Sequence, residues 1–295
     1  MTIDAATRVV ALLGHPVEHS RSPHIHNTAF RAQGVNAVYV ATPVRPADLA
    51  AAVEGLRALQ FWGANVTVPH KEAVRPLLDT VSERAAAVGA VNTIVRETRD
   101  GGARLRGDNT DVEGFLAPLE GADRTLAGAP MVVFGAGGAA RAVTYGLLDR
   151  YAPAPLTLVA RRPAQAEQLA ADLSGYDPEG GLRVTTFDDA APAVRSSRLL
   201  VNATPLGMTP ETDGTPWPTS DDFGAEQVAY DLVYNPEETR FLREAAAQGA
   251  TTIGGLAMLV EQAAAAYAQW TGREMPREEV YDALQDEPSP IPEQD

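Results

Sequence analysis

Of the 24 basic side chains in this 295-residue sequence, 23 are arginines and one, Lys71, is a lysine. The arginine bias fits codon drift in a GC-rich genome, so the exception to it is the informative residue. An ammonium can release its proton at a usable pH, whereas a guanidinium stays protonated. Lys71 is therefore the cation best suited to act as a general acid beside developing negative charge. It closes the stretch Asn65-Val66-Thr67-Val68-Pro69-His70-Lys71, which reads as a strand end running into a helix. In a strand Asn65 and Thr67 point to the same face, and Lys71 follows one helical turn on. Two further polar clusters, Ala90-Val91-Asn92-Thr93 and Gly107-Asp108-Asn109-Thr110-Asp111, fall at expected strand ends. Strand ends converging on one cleft are where an α/β enzyme builds its site. Turn or helix-cap duty is the competing role for Asn92 and Asp111.

Upstream, Ser20-Arg21-Ser22-Pro23 places two hydroxyls just before a proline-initiated helix, where both can donate to a carboxylate. A helix cap with a bystander serine would use the same residues. All five histidines lie within the first 70 residues, four of them between His15 and His26. Their spacing fits no common zinc site, so no metal is expected.

A second chemistry-bearing stretch is Val132-Val133-Phe134-Gly135-Ala136-Gly137-Gly138-Ala139-Ala140-Arg141. A buried strand, a glycine turn and a helix start follow one another here. Gly135 and Gly137 permit the tight turn and close approach of backbone to a pyrophosphate, and Ala140 is small enough for helix–strand packing. The helix N-terminus then offers free N–H groups to phosphates. The next strand ends in Ala160-Arg161-Arg162, where an NAD site usually carries an acidic residue. Two guanidiniums without a carboxylate suit a 2′-phosphate, so NADP(H) is the expected cofactor. A solvated arginine pair is the alternative, but a helix start is electrostatically poor for cations.

These residues need a framework. Strands are expected at 9–13, 37–41, 64–68 and 91–96, with helices at 23–33, 46–60, 70–79 and 82–88. That order predicts a mostly parallel sheet covered by helices. The glycines and proline of 120–130 suggest a domain boundary. A second series has strands at 131–134, 156–159, 183–187, 199–202, 228–232 and 251–253, alternating with helices. The last long helix, 256–270, has no room to start a new domain and is expected to return to the first. The predicted organisation is a substrate-binding and catalytic domain over 1–119, joined by C-terminal helices at 255–285. A Rossmann-type domain spans 120–254, and the Pro- and acid-rich tail 286–295 is expected to be disordered.

Composition narrows the function class. A net charge of −15 argues against nucleic-acid and anionic-membrane partners. No apolar run approaches the roughly 20 residues of a membrane span. The absence of cysteine excludes disulfides, thiolate nucleophiles and cysteine-bound metals. A cytoplasmic protein acting on a small molecule, as a monomer or homodimer, is the expectation.

The ordered set GxPxxHSxSPxxHN, NVTxPxK, GAVNT, GDNTD, GAGGAA, NATPLGM and GLAMLVEQA closely resembles the shikimate dehydrogenase family from Gly14 to about Gly272. The resemblance implies an α/β fold of two domains, one substrate-binding and one a doubly wound NADP domain. It implies NADPH-dependent reduction of 3-dehydroshikimate to shikimate, on the route to chorismate and the aromatic amino acids. It assigns Ser20 and Ser22 to the substrate carboxylate, and Thr67, Asn92, Asp111, Tyr234 and Gln262 to the ring hydroxyls. Lys71 and Asp111 look like its catalytic pair. Gly135, Ala136, Gly137, Gly138 and Ala139 would cradle the pyrophosphate, with Arg161 at the 2′-phosphate. Thr204, Leu232, Gly255 and Met258 would line the nicotinamide end. Where the family usually reads Asn-Arg-Thr, this chain has Ala160-Arg161-Arg162: two small polar contacts are lost and Arg162 adds a positive one. Two other functions compete, a quinate/shikimate dehydrogenase and a non-catalytic NADP-binding regulator. The first often carries an acidic residue at the Arg161–Arg162 position, and the second would be expected to lose Lys71 or Asp111.

Overall fold

The computed structural model describes residues 2–99 and 102–285. The chain divides into two compact units, Met1–Thr110 with Val260–Asp295, and Asp111–Leu259.

The first unit is built on strands β1 (Arg8–Gly14), β2 (Ala37–Pro43), β3 (Gly63–Val66), β4 (Thr80–Val81), β5 (Thr93–Arg99) and β6 (Gly102–Asp108). Their order is β2-β1-β3-β5-β6-β4. β1 runs parallel to β2 and β3, and β5 is antiparallel to both β3 and β6. The apolar runs of β1 and β3 are buried because helices cover the sheet. Helices α1 (Ser22–Ala32), α2 (Leu49–Ala58) and α3 (Glu83–Val88) belong to this unit. Leu13, Val53, Val66, Val74, Ile94 and Leu105 form one of its cores.

Besides the short strand β4, two larger features depart from the sequence expectation here. Residues 70–79 do not form an α-helix: they make successive turns and a short 3-10 helix at Arg75–Leu77. The Lys71 carbonyl is taken by Val91 N–H at 2.7 Å, and Pro76 has no N–H to offer Glu72, so an α-helical ladder cannot close. Strand β6 is the other departure. Its apolar signal is confined to Leu105, with arginines on either side of it.

The second unit holds α4 (Asp111–Leu116), α5 (Asp123–Leu126), β7 (Met131–Phe134), α6 (Gly138–Tyr151), β8 (Leu156–Val159) and α7 (Pro163–Leu173). It continues through β9 (Leu182–Thr185), α8 (Ala191–Ser196), β10 (Leu199–Asn202), β11 (Val228–Asp231), α9 (Arg240–Ala247) and β12 (Thr251–Ile253). Its strands are all parallel, in the order β12-β11-β10-β7-β8-β9. The order reverses between β7 and β10, the doubly wound arrangement whose ligand crevice lies at that switch point.

The boundary falls at Thr110–Asp111 rather than at the expected 119–120. Phe115 and Leu119 are buried in the second unit's core, and Phe115 stacks on Tyr230 at 5.2 Å. The return falls at Leu259–Val260 rather than at 254–255, because Met258 packs into that same core. The predicted tail, 286–295, lies outside the described residues.

Helix α10 (Gly255–Thr271) thus starts in the second unit, and from Val260 onward belongs to the first, as does α11 (Arg277–Gln285). Trp270 donates through Nε1 to Ile94 O at 3.0 Å, over Gly63. A Cβ at residue 63 would collide with both groups, so only glycine leaves the indole room. Arg21 Nη2 reaches Leu284 O at 2.6 Å, tying α11 to the start of α1.

His26 is fully buried in this packing, stacked on Tyr39 at 4.5 Å and tilted against Trp270 at 5.1 Å. Burial pushes its pKa from 6.5 down to about 3, with Asn65 opposing. The unfolded chain therefore takes up this proton more readily than the folded one. The corresponding stability is whole above pH 6.5 and is lost as pH falls toward 3. The loss reaches on the order of 3 kcal/mol by about pH 4. Asp231 runs the other way: burial pushes its carboxyl up to about 6, so acidification through that value favours the folded state. His26→Phe is expected to flatten the fall in Tm between pH 6.5 and about 4 relative to wild type. An equally steep fall in the variant would assign it to other groups.

Candidate active site

Ser20 and Ser22 follow β1, and Thr67 and Lys71 follow β3. Asn92 precedes the antiparallel β5, and Thr110 follows β6. Since β6 is antiparallel to β5, and β5 to β3, all of these positions fall at one end of the first sheet. Gly14 lets the loops after β1 and β3 approach closely, because a Cβ there would collide with Thr67 Cγ2. His15 N–H donates to Val68 O at 3.0 Å, and Thr67 N–H to Leu13 O at 2.9 Å. Helix α1 has no side-chain cap; Ser20 Oγ instead accepts the Ser22 N–H at 3.2 Å. The N-cap position itself is Arg21, and Ser20 takes the first N–H of the helix. The first turn of α1 keeps the positive end of its dipole beside two hydroxyls.

Lys71 is half-buried, and its backbone is held from two sides. The preceding His70 is buried and its Nε2 donates to Val44 O at 2.6 Å, while Val91 N–H bonds the Lys71 carbonyl. Asn92 is buried within a polar network. Its Oδ1 accepts Thr110 N–H at 2.7 Å, and its Nδ2 donates to Thr110 Oγ1 at 3.0 Å. Asn65 does not share an open face with Thr67. It is buried, accepts from Tyr39 Oη at 2.9 Å, and donates to Asn92 O and Thr93 Oγ1 at 3.0 and 3.1 Å. Burial pushes the pKa of Tyr39 up, with Ser22 acting the other way. Through Asn65, Tyr39 of β2 therefore joins the Asn92 network.

In the second unit, Gly135 has φ +112°, and a Cβ there would meet Ala203 O at 3.0 Å and Thr204 Cγ2 at 3.1 Å. Gly137 caps α6 with no side-chain partner, and nothing lies within 4 Å of its would-be Cβ. The first turn of this 14-residue helix is open to an anion. A cavity of about 770 Å³ is lined by Gly135, Ala136, Gly137, Arg161, Arg162 and Thr204, among others. Open backbone at a helix start, two arginines and this volume fit a phosphate-bearing dinucleotide. Leu232, Gly255 and Met258 are not among the lining residues. They gather at the start of α10, where a Cβ on Gly255 would collide with Leu232 O and come within 2.6 Å of Val233 O. Asp111 is buried at the start of α4, in the second unit, directly after the Thr110 that Asn92 holds. Tyr234 belongs to the second unit and Gln262 to the first; both are half-buried.

Residues 12–94 match the shikimate dehydrogenase substrate binding domain, and residues 255–285 the shikimate 5′-dehydrogenase C-terminal domain. A Salinibacter ruber protein named shikimate dehydrogenase (NADP(+)) is 71% identical over 287 residues, covering 96% of this chain and 99% of its own. This chain belongs to the shikimate dehydrogenase family. A crystallised shikimate dehydrogenase in complex with NADP+ superposes with a TM-score of 0.89 at 38% identity, over 97% of each chain. The Thermus thermophilus shikimate 5-dehydrogenase, solved in complex with NADP(H) and shikimate, gives a TM-score of 0.81 at 39% identity. That match covers 95% of this chain and 99% of the other.

Within this shikimate dehydrogenase-family chain, sequence reasoning missed Tyr39 and noted Thr110 only as part of a polar cluster; both are tied into the Asn92 network. Tyr39 had a signal: a tyrosine in an otherwise apolar buried strand must find a partner for its hydroxyl. It also missed Gln165, Phe187 and Trp217, which line the cavity beside Gly135, where no local pattern marks them. Among the described residues no three His, Asp or Glu side chains come together to hold a metal ion. No helix there is long and apolar enough to cross a membrane.

Proposed function

We propose that this chain catalyses the reversible NADPH-dependent reduction of 3-dehydroshikimate to shikimate, in chorismate and aromatic amino acid biosynthesis. Its membership of the shikimate dehydrogenase family carries this reading. The gathering of Ser20, Ser22, Thr67, Lys71 and Asn92 at one sheet end supports it. NADPH, when bound, supplies the hydride. Gly135, Ala136, Gly137, Gly138 and Ala139 hold its pyrophosphate, with the first N–H groups of α6 as donors. Arg161, joined by Arg162, takes the 2′-phosphate. Thr204, Leu232, Gly255 and Met258 shape the nicotinamide end.

On the substrate side, Ser20 and Ser22 donate to the carboxylate, assisted by the dipole of α1. Thr67, Asn92, Asp111, Tyr234 and Gln262 bind the ring hydroxyls. As the carbonyl carbon is reduced, negative charge develops on its oxygen. The Lys71 ammonium stabilises that charge and delivers the proton. Asp111 orients Lys71, and the two act as a pair. We place the enzyme in the cytoplasm, as a monomer or homodimer without nucleic-acid or membrane partners.

The test is turnover of shikimate and quinate, each with NADP+ and NAD+. The highest kcat/KM is expected for shikimate with NADP+. A preference for quinate with NAD+ would make the chain a quinate dehydrogenase. No turnover of either substrate would favour a non-catalytic NADP-binding role.

A further inference from the structure

Asp231 is a fully buried carboxylate that none of the steps above uses. It ends β11 beside Asn202, the last residue of β10, and the two are register partners. Its Oδ1 accepts from Asn202 Nδ2 and from Val233 N–H, both at 2.9 Å. Its Oδ2 accepts from Thr239 Oγ1 at 2.6 Å. Burial pushes the carboxyl up to about 6, so at neutral pH it is an acceptor-only group facing three donors.

Each donor belongs to a different segment. Asn202 passes the connection on: Nδ2 also donates to Leu206 O at 3.2 Å, and Oδ1 accepts Thr204 N–H at 3.0 Å and Thr204 Oγ1 at 2.6 Å. Thr204 Oγ1 in turn accepts Leu206 N–H at 3.2 Å. Val233 N–H fixes the turn that carries Leu232 and receives Gly255, whose N–H donates to Val233 O at 3.2 Å. Thr239 caps α9 by accepting Leu242 N–H. The loop 203–206 lines the cofactor cavity through Ala203, Thr204, Pro205 and Leu206. One carboxylate thus closes a hydrogen-bond network spanning that loop, the turn after β11 and the start of α9. A buried network in which every donor is met has a single low-energy arrangement.

We propose that Asp231 is a positioning residue for the cofactor, holding Thr204 through Asn202, and Leu232 through the Val233 amide, where the nicotinamide ring is presented. This rests on the reading of Thr204 and Leu232 as nicotinamide-side residues. Asp231 is fully buried and is not among the residues that line the cavity. Its effect is on alignment, to which hydride transfer is steeply sensitive.

The test compares Asp231→Ala and Asp231→Asn with wild type. Asparagine keeps a carbonyl for Asn202 and Val233 and loses only the acceptor for Thr239. The alanine variant is expected to lower kcat and raise the KM for NADPH by about tenfold or more. The KM for the shikimate-side substrate should stay within about twofold, and the asparagine variant should recover most of both losses. Adenosine 2′,5′-bisphosphate, which probes only the arginine end, should bind the alanine variant as it binds wild type. Equal weakening of this fragment and of NADPH would overturn the proposal, since the whole unit would then be damaged. Unchanged kinetics in Asp231→Ala would overturn it as well. If Asp231→Ala does not fold, Asn202→Ala cuts the same link to Thr204 and must give the same pattern. Thr204→Ala separates the two layers of the argument. Wild-type NADPH kinetics in that variant would refute the assignment of Thr204 itself. A clear defect there, with Asp231→Ala silent, would refute only the positioning role.

Discussion

Replacing Lys71 with alanine is expected to lower kcat by roughly 10²–10⁴-fold while the KM for shikimate stays within about tenfold. The asymmetry follows from what holds the residue in place. The Lys71 carbonyl bonds Val91 N–H, and the adjoining His70 ring donates to Val44 O; neither contact involves the lysine side chain. Truncation therefore removes the ammonium and leaves both of these contacts in place. In the proposed mechanism, ground-state binding is shared among several other donors, whereas stabilisation of the nascent alkoxide falls to Lys71. Lys71→Arg should remain slow, because a guanidinium keeps the charge and cannot readily give up its proton. Steady-state kinetics beside a thermal melt decide the matter. A variant with wild-type Tm and near-wild-type kcat would remove Lys71 from the chemistry.

Loss of the Arg161 guanidinium is expected to raise the KM for NADPH by about 10- to 100-fold, with little change for NADH. That range corresponds to roughly 1.5–3 kcal/mol for charge-assisted bonds to a phosphate. Arg161 and Arg162 are both exposed beside the cofactor cavity. Neither makes a side-chain hydrogen bond or ion pair among the described residues, and Arg162 sits at the N-cap of α7, where the helix dipole disfavours a cation. The pair therefore has no evident task in folding, and Tm should not move in either single variant. The double variant should lose further NADPH affinity, since Arg162 replaces the small polar residue that the family pattern usually shows there. Equal effects on NADPH and NADH would remove the 2′-phosphate from the account.

Much of this was legible in the sequence, for a physical reason. The second unit's strands are short continuous apolar runs bounded by turns, and five of its six predicted strands fall within a residue of where they form. β9 is displaced by two residues at its C-terminal end. Gly135 was readable because a positive φ pressed against Ala203 permits little else. What was lost depended on tertiary pairing. Residues 70–79 have helical patterning, but the demand of Val91 N–H for the Lys71 carbonyl overrides it. Strand β6 alternates arginine with Leu105 and Gly107, which looks like polar surface until β5 is beside it. The glycines of 120–130 are the visible turn signal, but the units divide at Thr110–Asp111. Burial of Phe115 and Leu119 had already committed the chain to the second core. Asn92 shows the limit at the site. Its type and position suggested a ligand contact or a turn, and it holds Thr110 in place, a task that only the neighbouring strand reveals.

The second unit is one uninterrupted stretch, Asp111–Leu259, whereas the first is assembled from two. The last residue of the second unit therefore emerges from the ribosome before the residues that finish the first. Until then the sheet of β1 to β6 has no Trp270 to donate to Ile94 across Gly63, and α1 has no α11 at its start. Domains fold as units during synthesis once their sequence has emerged. The unit that contains Lys71 starts first and is completed last, so in the growing chain the second unit closes ahead of it.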